Sequence, residues 1–148
     1  MSTRFEEHHM PLGRGISKDV AARMEEDRRL AGTYQDRLAD ATAAETALRT
    51  AQAEGRPAGE MKALDVAFDQ ALTVALEAAL AAERVEMGPK VYVSEGQDAT
   101  AHRAAEIAER KARARWTVRP WTEEADRLRT ARETHRLSFR GGRGVAVV

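Results

Sequence analysis

The chain contains no cysteine. Disulfides, thiolate nucleophiles and cysteine-based zinc sites are therefore excluded, and the composition suits a reducing compartment. Aromatic residues are scarce, at 5% of 148 residues, so a core has to be assembled from Leu, Val, Met and much Ala. Alanine lets helices approach closely but buries little area. At ~25 cal/mol per Å² of apolar surface, a thin core gives thin stability. Such a chain gains from a partner or from copies of itself. There are 4 prolines, and none lies between Pro11 and Pro57, which leaves room for long helices. No apolar run approaches the ~20 residues that span a bilayer. The longest, Ala71 to Ala82, is interrupted by Glu77. Met1 to Gly15 carries Glu6, Glu7, His8 and His9 and no apolar stretch, unlike an export signal. These absences predict a protein that works in the cytoplasm, or in a particle assembled there, without a membrane.

Charged residues are abundant, at 32%, and sum to zero, but they are unevenly spread. Residues 1–88 hold 11 Lys/Arg against 16 Asp/Glu, a net of −5. Residues 89–148 hold 13 against 8, a net of +5. Asymmetry of this kind marks a binding face or head-to-tail contacts between copies, or else is simple drift in composition.

Met1 to Gly15, broken by Pro11, Gly13 and Gly15, reads as an extended arm. Ser17 is a helix N-cap and Asp19 complements the first turn. From there a single helix is expected as far as Gly55. Val20, Met24, Ala31, Tyr34, Leu38, Ala41 and Leu48 follow the spacing of a coiled-coil seam, which Asp27 and Glu45 interrupt. Gly55-Arg56-Pro57-Ala58-Gly59 is the clearest turn. A second helix, to about Glu86, has Met61, Leu64, Phe68, Leu72, Ala75 and Ala79 on one stripe, and Val74, Leu76 and Leu80 widen it to nearly the whole circumference. Gly88-Pro89 ends it. Lys90-Val91-Tyr92-Val93-Ser94 alternates like a strand. Two further helices are expected, from Asp98 to Trp116 and from Thr122 as N-cap. The last residues, Leu137 to Val148, read as strand, glycine turn and strand. The expected fold is thus mainly α in one domain. It has a 1–15 arm, a long antiparallel two-helix hairpin over 16–87, and a basic 88–148 region with two shorter helices and a minor β element (about 90–94 and 137–148).

No catalytic constellation is visible. Glu6 and His9 have the E-x-x-H spacing of metal-binding bundles, but they sit in the broken arm without companion ligands. His102 and Glu106 are four apart on a helix, where a surface pair is far commoner than a catalytic base with its orienting carboxylate. Ser17, Ser94 and Ser138 lie in no nucleophile-elbow motif, and no phosphate-cradling glycine loop precedes a helix. No enzyme activity, cofactor, metal or small-molecule substrate is expected. The strongest local signal is Arg110-Lys111-Ala112-Arg113-Ala114-Arg115-Trp116-Thr117-Val118-Arg119, five positive residues without an acid. Such cations neutralise phosphates, and Trp116 or Trp121 can stack on a base. Arg140 and Arg143, among Gly141, Gly142 and Gly144, add one RGG-like element. Against this stands an Arg-rich chain (20 Arg, 4 Lys), in which Arg110, Lys111, Arg113, Arg115 and Arg119 are partly expected by chance. The two tryptophans also flank Pro120, where they would anchor a corner.

Two functions follow. The leading expectation is a structural subunit that forms homo-oligomers or joins a larger assembly, such as a connector, capsid accessory or tail-assembly part of a phage-like virion. Its contacts would be Leu76 and Leu80 on the outer face of the second helix and Val145 and Val147 in the C-terminal segment. The alternative is a nucleic-acid-binding accessory protein using the basic 110–119 segment. On the first reading, Leu80→Asp dissociates the oligomer while the subunit stays folded, which light scattering after size exclusion measures.

Overall fold

A computed structural model describes the backbone of residues 15–147 and the side chains as far as residue 138. The expected N-terminal arm therefore falls almost wholly outside the described residues, as do the side chains of Val145 and Val147. Among the described residues are five α-helices, one 3-10 turn and no strand. They are α1 (Lys18–Ala31), α2 (Tyr34–Glu54), α3 (Ala58–Met87), the 3-10 turn Pro89–Val91, α4 (Ala99–Arg113) and α5 (Arg119–Val147).

The chain folds around α3. Its sequence is apolar on almost every side, and α1, α2 and α5 all pack against it. Ala75, Ala78, Ala79, Ala81 and Ala82 are buried on it and let the surrounding helices come close. Phe68, Leu72 and Leu76 then fill the core with Tyr34, Ala41 and Leu48 of α2 and Ala125 and Leu128 of α5. The turn between α2 and α3 uses Gly55 at φ 67°, a left-handed conformation that favours glycine, followed by Pro57. Helix α5 runs back along α3, with Thr122 opposite Glu83, Arg132 opposite Thr73 and Arg136 opposite Asp69.

The structure corrects several expectations. The single helix expected from Ser17 to Gly55 is two. The break falls at Gly32-Thr33, where the Thr33 hydroxyl donates to the Leu30 carbonyl at 2.7 Å. Asp27, an apparent flaw in the seam, explains the division. It is buried, and it takes two hydrogen bonds from the Arg84 guanidinium at 2.8 and 3.0 Å and one from the Tyr92 hydroxyl at 2.5 Å. Helix α1 is thereby fixed to the C-terminal end of α3, while α2 packs elsewhere along it.

The segment 90–94 is not a strand. After the 3-10 turn, its polar groups are satisfied by side chains of α1 and its cap. Arg23 donates to the Val93 carbonyl, the Ser94 and Ser17 hydroxyls lie 2.6 Å apart, and the Glu95 N–H donates to Asp19 at 2.7 Å. The C-terminal β element at 137–148 is also overturned, because α5 continues to Val147. Glycine in a helix costs only about 1 kcal/mol, and no proline follows Pro120 to stop it. Thr122 lies inside α5 instead of capping it, and its hydroxyl donates to Glu83 at 2.5 Å.

Of the proposed contact residues, Leu76 is 4% exposed and Leu80 is partly buried against the same core, so the subunit itself covers most of the face they occupy. The apolar residues that α3 leaves in solvent are Val66 and Val74, 45% and 41% exposed. Leu80→Asp should therefore unfold the subunit, which circular dichroism distinguishes from dissociation of a folded one.

Burial alone would push the Asp27 carboxyl up. The hydrogen bonds from Arg84 and Tyr92, with the charges of Arg84 and Arg23, outweigh it and hold the pKa below its usual 3.8. A depressed carboxylate pKa stabilises the fold above the unfolded value, and the contribution is lost as pH falls through the folded one. Asp27→Asn should cost about 2 kcal/mol at pH 7, below the usual range for a broken buried pair because solvent reaches Arg84. In urea melts its deficit should shrink as pH falls below about 4, where the unfolded chain's carboxyl takes up a proton first, and vanish once the native carboxylate is protonated too.

Candidate functional site

The basic segment forms the corner between α4 and α5. Asp98 caps α4 by accepting from the Ala101 N–H at 3.1 Å. At 100° per residue, Ala101, Ala105, Ala108 and Ala112 share one face of this helix, Arg103, Ile107 and Arg110 share the opposite one, and Lys111 lies on its flank. Burial follows that division. Ala112 is buried, while Arg103, Ile107, Arg110 and Lys111 are all exposed.

The turn that follows α4 is pinned on both sides of Trp116. Before it, the Arg115 guanidinium donates to the Glu86 and Met87 carbonyls at 3.1 and 2.8 Å, closing free acceptors at the end of α3. After it, Val118 is fully buried with Met87 and Ala112, and Val91 packs alongside. Trp121 enters the main core, edge-on to Tyr34 with ring centroids 5.2 Å apart. Trp116 is left 82% exposed. The two tryptophans thus divide the roles that the sequence left open. Trp121 lies in register with Ala125 and Leu128 on the buried stripe of α5, whereas Trp116, expected at the end of the third helix, lies outside any helix because α4 stops at Arg113.

The five basic residues also divide. Arg113 reaches the buried Glu83 carboxylate at 3.4 Å and Glu109 at 3.3 Å. With Arg115 spent on carbonyls, both serve the fold. Arg110, Lys111 and Arg119 are exposed and have no ion-pair partner among the described residues. The corner therefore carries three exposed cations, without ion-pair partners among the described residues, within six residues of an exposed indole, and Arg103 and Ile107 are exposed further along α4. Sequence reasoning missed these last two. The RGG-like element falls where side chains are not described.

A second feature is a groove of about 1030 Å³ between α2 and α5 with α3 as its floor. Leu48, Met61 and Phe68 line it, with Arg49 and Lys62 among its polar residues. At one wall, His135 Nε2 lies 3.0 Å from the Asp65 carbonyl and 3.8 Å from its carboxylate, and its ring stands edge-on to Phe68. Burial raises the Asp65 pKa, and His135 partly offsets this. The pair clasps α5 to α3, as the neighbouring bidentate Arg136–Asp69 pair does. His102 is exposed on α4, away from this groove. No group of three or more metal-ligating side chains occurs among the described residues, and Glu6, His8 and His9 lie outside them. No helix among the described residues is long and apolar enough to cross a membrane.

No family model, curated protein or solved structure matches the chain.

Removing the exposed indole should not disturb the fold, whereas removing its support should. Trp116→Ala is expected to leave the urea midpoint within about 0.5 kcal/mol of the parent. Arg115→Ala, which reopens the end of α3, should lose about 1–2 kcal/mol. The same melts compare them.

Proposed function

We propose that the protein is a non-enzymatic accessory protein that binds nucleic acid at the α4–α5 corner. The observation that carries this reading is the 82% exposed Trp116, flanked in sequence by exposed cations that have no ion-pair partner among the described residues. An uncompensated cation attracts a polyanion by releasing condensed counterions, and this term depends on charge and not on sequence. The local positive charge stands out because the rest of the molecule is laced with paired charges, such as Arg28–Glu25, Arg49–Glu45 and Arg129–Asp126. The net of +5 over residues 89–148 points the same way.

A role as an assembly subunit, including a virion part, is the second reading. Its contacts would move from Leu76 and Leu80 to Val66 and Val74, the exposed valines of α3. A mass above 16.3 kDa in light scattering, lowered by Val66→Glu with Val74→Glu, would support it. A monomer would remove it.

Binding of a labelled oligonucleotide tests the first reading. Three phosphate contacts give a log K against log salt slope of ~−2 on a single strand. The triple variant Arg110→Glu, Lys111→Glu, Arg119→Glu should abolish binding with an unchanged melt. Salt-independent binding, or full retention in the triple variant, would exclude this corner.

A further inference from the structure

We infer that the α4–α5 corner selects single-stranded over duplex nucleic acid, with Trp116 as a stacking platform for an unpaired base. This rests on the nucleic-acid reading above and adds a discrimination that charge alone does not supply. Duplex DNA carries the denser array of phosphates, so a patch that worked by cations only would hold duplex at least as tightly as a single strand. An indole face works in the opposite sense. In a duplex the faces of the bases are closed by their neighbours and only the edges are open. A flexible single strand offers free faces, and every base has one, so stacking needs no particular sequence.

The structure supplies what stacking requires. The ring of Trp116 is 82% exposed, so no neighbouring side chain has to move away before a base can reach it. Its backbone is held from both sides. Arg115 is bonded to the carbonyls of Glu86 and Met87, Val118 is fully buried, and the Val118 N–H donates to the Arg115 carbonyl at 3.1 Å across the turn. A backbone so fixed adds little ordering cost on binding, which leaves only the rotamers of the indole itself to be ordered. Along the chain, Arg110 and Lys111 precede the ring and Arg119 follows it, all three exposed, so cations for the phosphates of a bound strand lie within six residues of the ring in sequence. The exposed Ile107, on the same face of α4 as Arg110 and Lys111, offers a second apolar contact to a neighbouring base.

The experiment uses the full chain and two probes of equal length, a labelled oligo(dT) and a mixed-sequence duplex, at one fixed salt concentration. Binding is followed by anisotropy and by indole emission, in which the partly buried Trp121, measured alone in Trp116→Phe, supplies the reference. The single strand should bind about 10-fold or more tightly than the duplex and quench part of the emission. Trp116→Ala should bring the single strand down to the duplex level, and Trp116→Phe should restore most of the preference. Equal or tighter duplex binding, unaffected by Trp116→Ala, would overturn the stacking while leaving the cationic corner in place. Failure of both probes to bind would overturn the nucleic-acid reading and this inference with it. A blue shift of the Trp116 emission on phosphatidylserine vesicles, with no response to oligo(dT), would assign the corner to a lipid surface and overturn both.

Discussion

A helix that is apolar over most of its circumference has to be covered over most of it, and α3 imposes that requirement on three other helices. Helices α1, α2 and α5 are placed by the faces of α3 that they cover. The enclosing surface is largely alanine, which makes close approach possible and keeps the energy of each contact small. The few large side chains are therefore concentrated where helices meet, with Phe68, Leu72 and Leu76 on α3 facing Leu48 on one side and Leu128 on the other. The same economy leaves a blemish. The Tyr34 hydroxyl is buried at the meeting of α2 and α5 without a hydrogen-bond partner. Burial first, and the nearby Glu124 carboxylate second, push its pKa up to about 12.

Electrostatics at the far end of α3 decide which cations are left over. Two carboxylates, Asp27 and Glu83, are taken out of water there, and each must be compensated. Arg84 and Tyr92 compensate the first, and Arg113 and Thr122 the second. Arg115 then closes the end of the helix. What remains of the basic segment after these demands is Arg110 and Lys111 at the end of α4 and Arg119 at the start of α5, on either side of a turn that the same interactions hold in place. The candidate site is thus a by-product of how the end of α3 is sealed, and its geometry depends on that seal.

Local chemistry was legible in the sequence and long-range chemistry was not. Ser17, Gly55 and Asp98 act through their own backbone or residues three to four away, so their positions in caps and turns could be read directly. The break at Gly32-Thr33 could not, because it depends on where α1 and α2 each find α3. The alternation of Lys90 to Ser94 was real, but the partner of that extended segment is a set of α1 side chains some seventy residues earlier. At the other end, Val145 to Val148 is too short an alternating run to outweigh the helix that enters it. Leu76 and Leu80 looked like spare surface only while α1 and α2 were taken as one rod. The basic segment itself was found, but Glu83 lies thirty residues from Arg113, so the sequence did not show which of its cations the fold consumes.

The break after α1 also divides the molecule in its response to acid. Helix α1 and the segment that follows the 3-10 turn are tied to each other through Asp19, whose carboxyl is held down to about 2 by the Ser17 hydroxyl and the Glu95 N–H. They are tied to α3 through Asp27. Among the described residues, the ties between α2, α3 and α5 are largely apolar, with the exposed Arg136–Asp69 pair and the His135 clasp beside them. As protons reach Asp27 and Asp19, the α1 unit loses its polar anchors and is left with buried Val20 and Met24, while the larger apolar contacts of the other three helices persist. Amide exchange in mild acid would then show two cooperative units in one small domain, with α1 opening ahead of α2, α3 and α5.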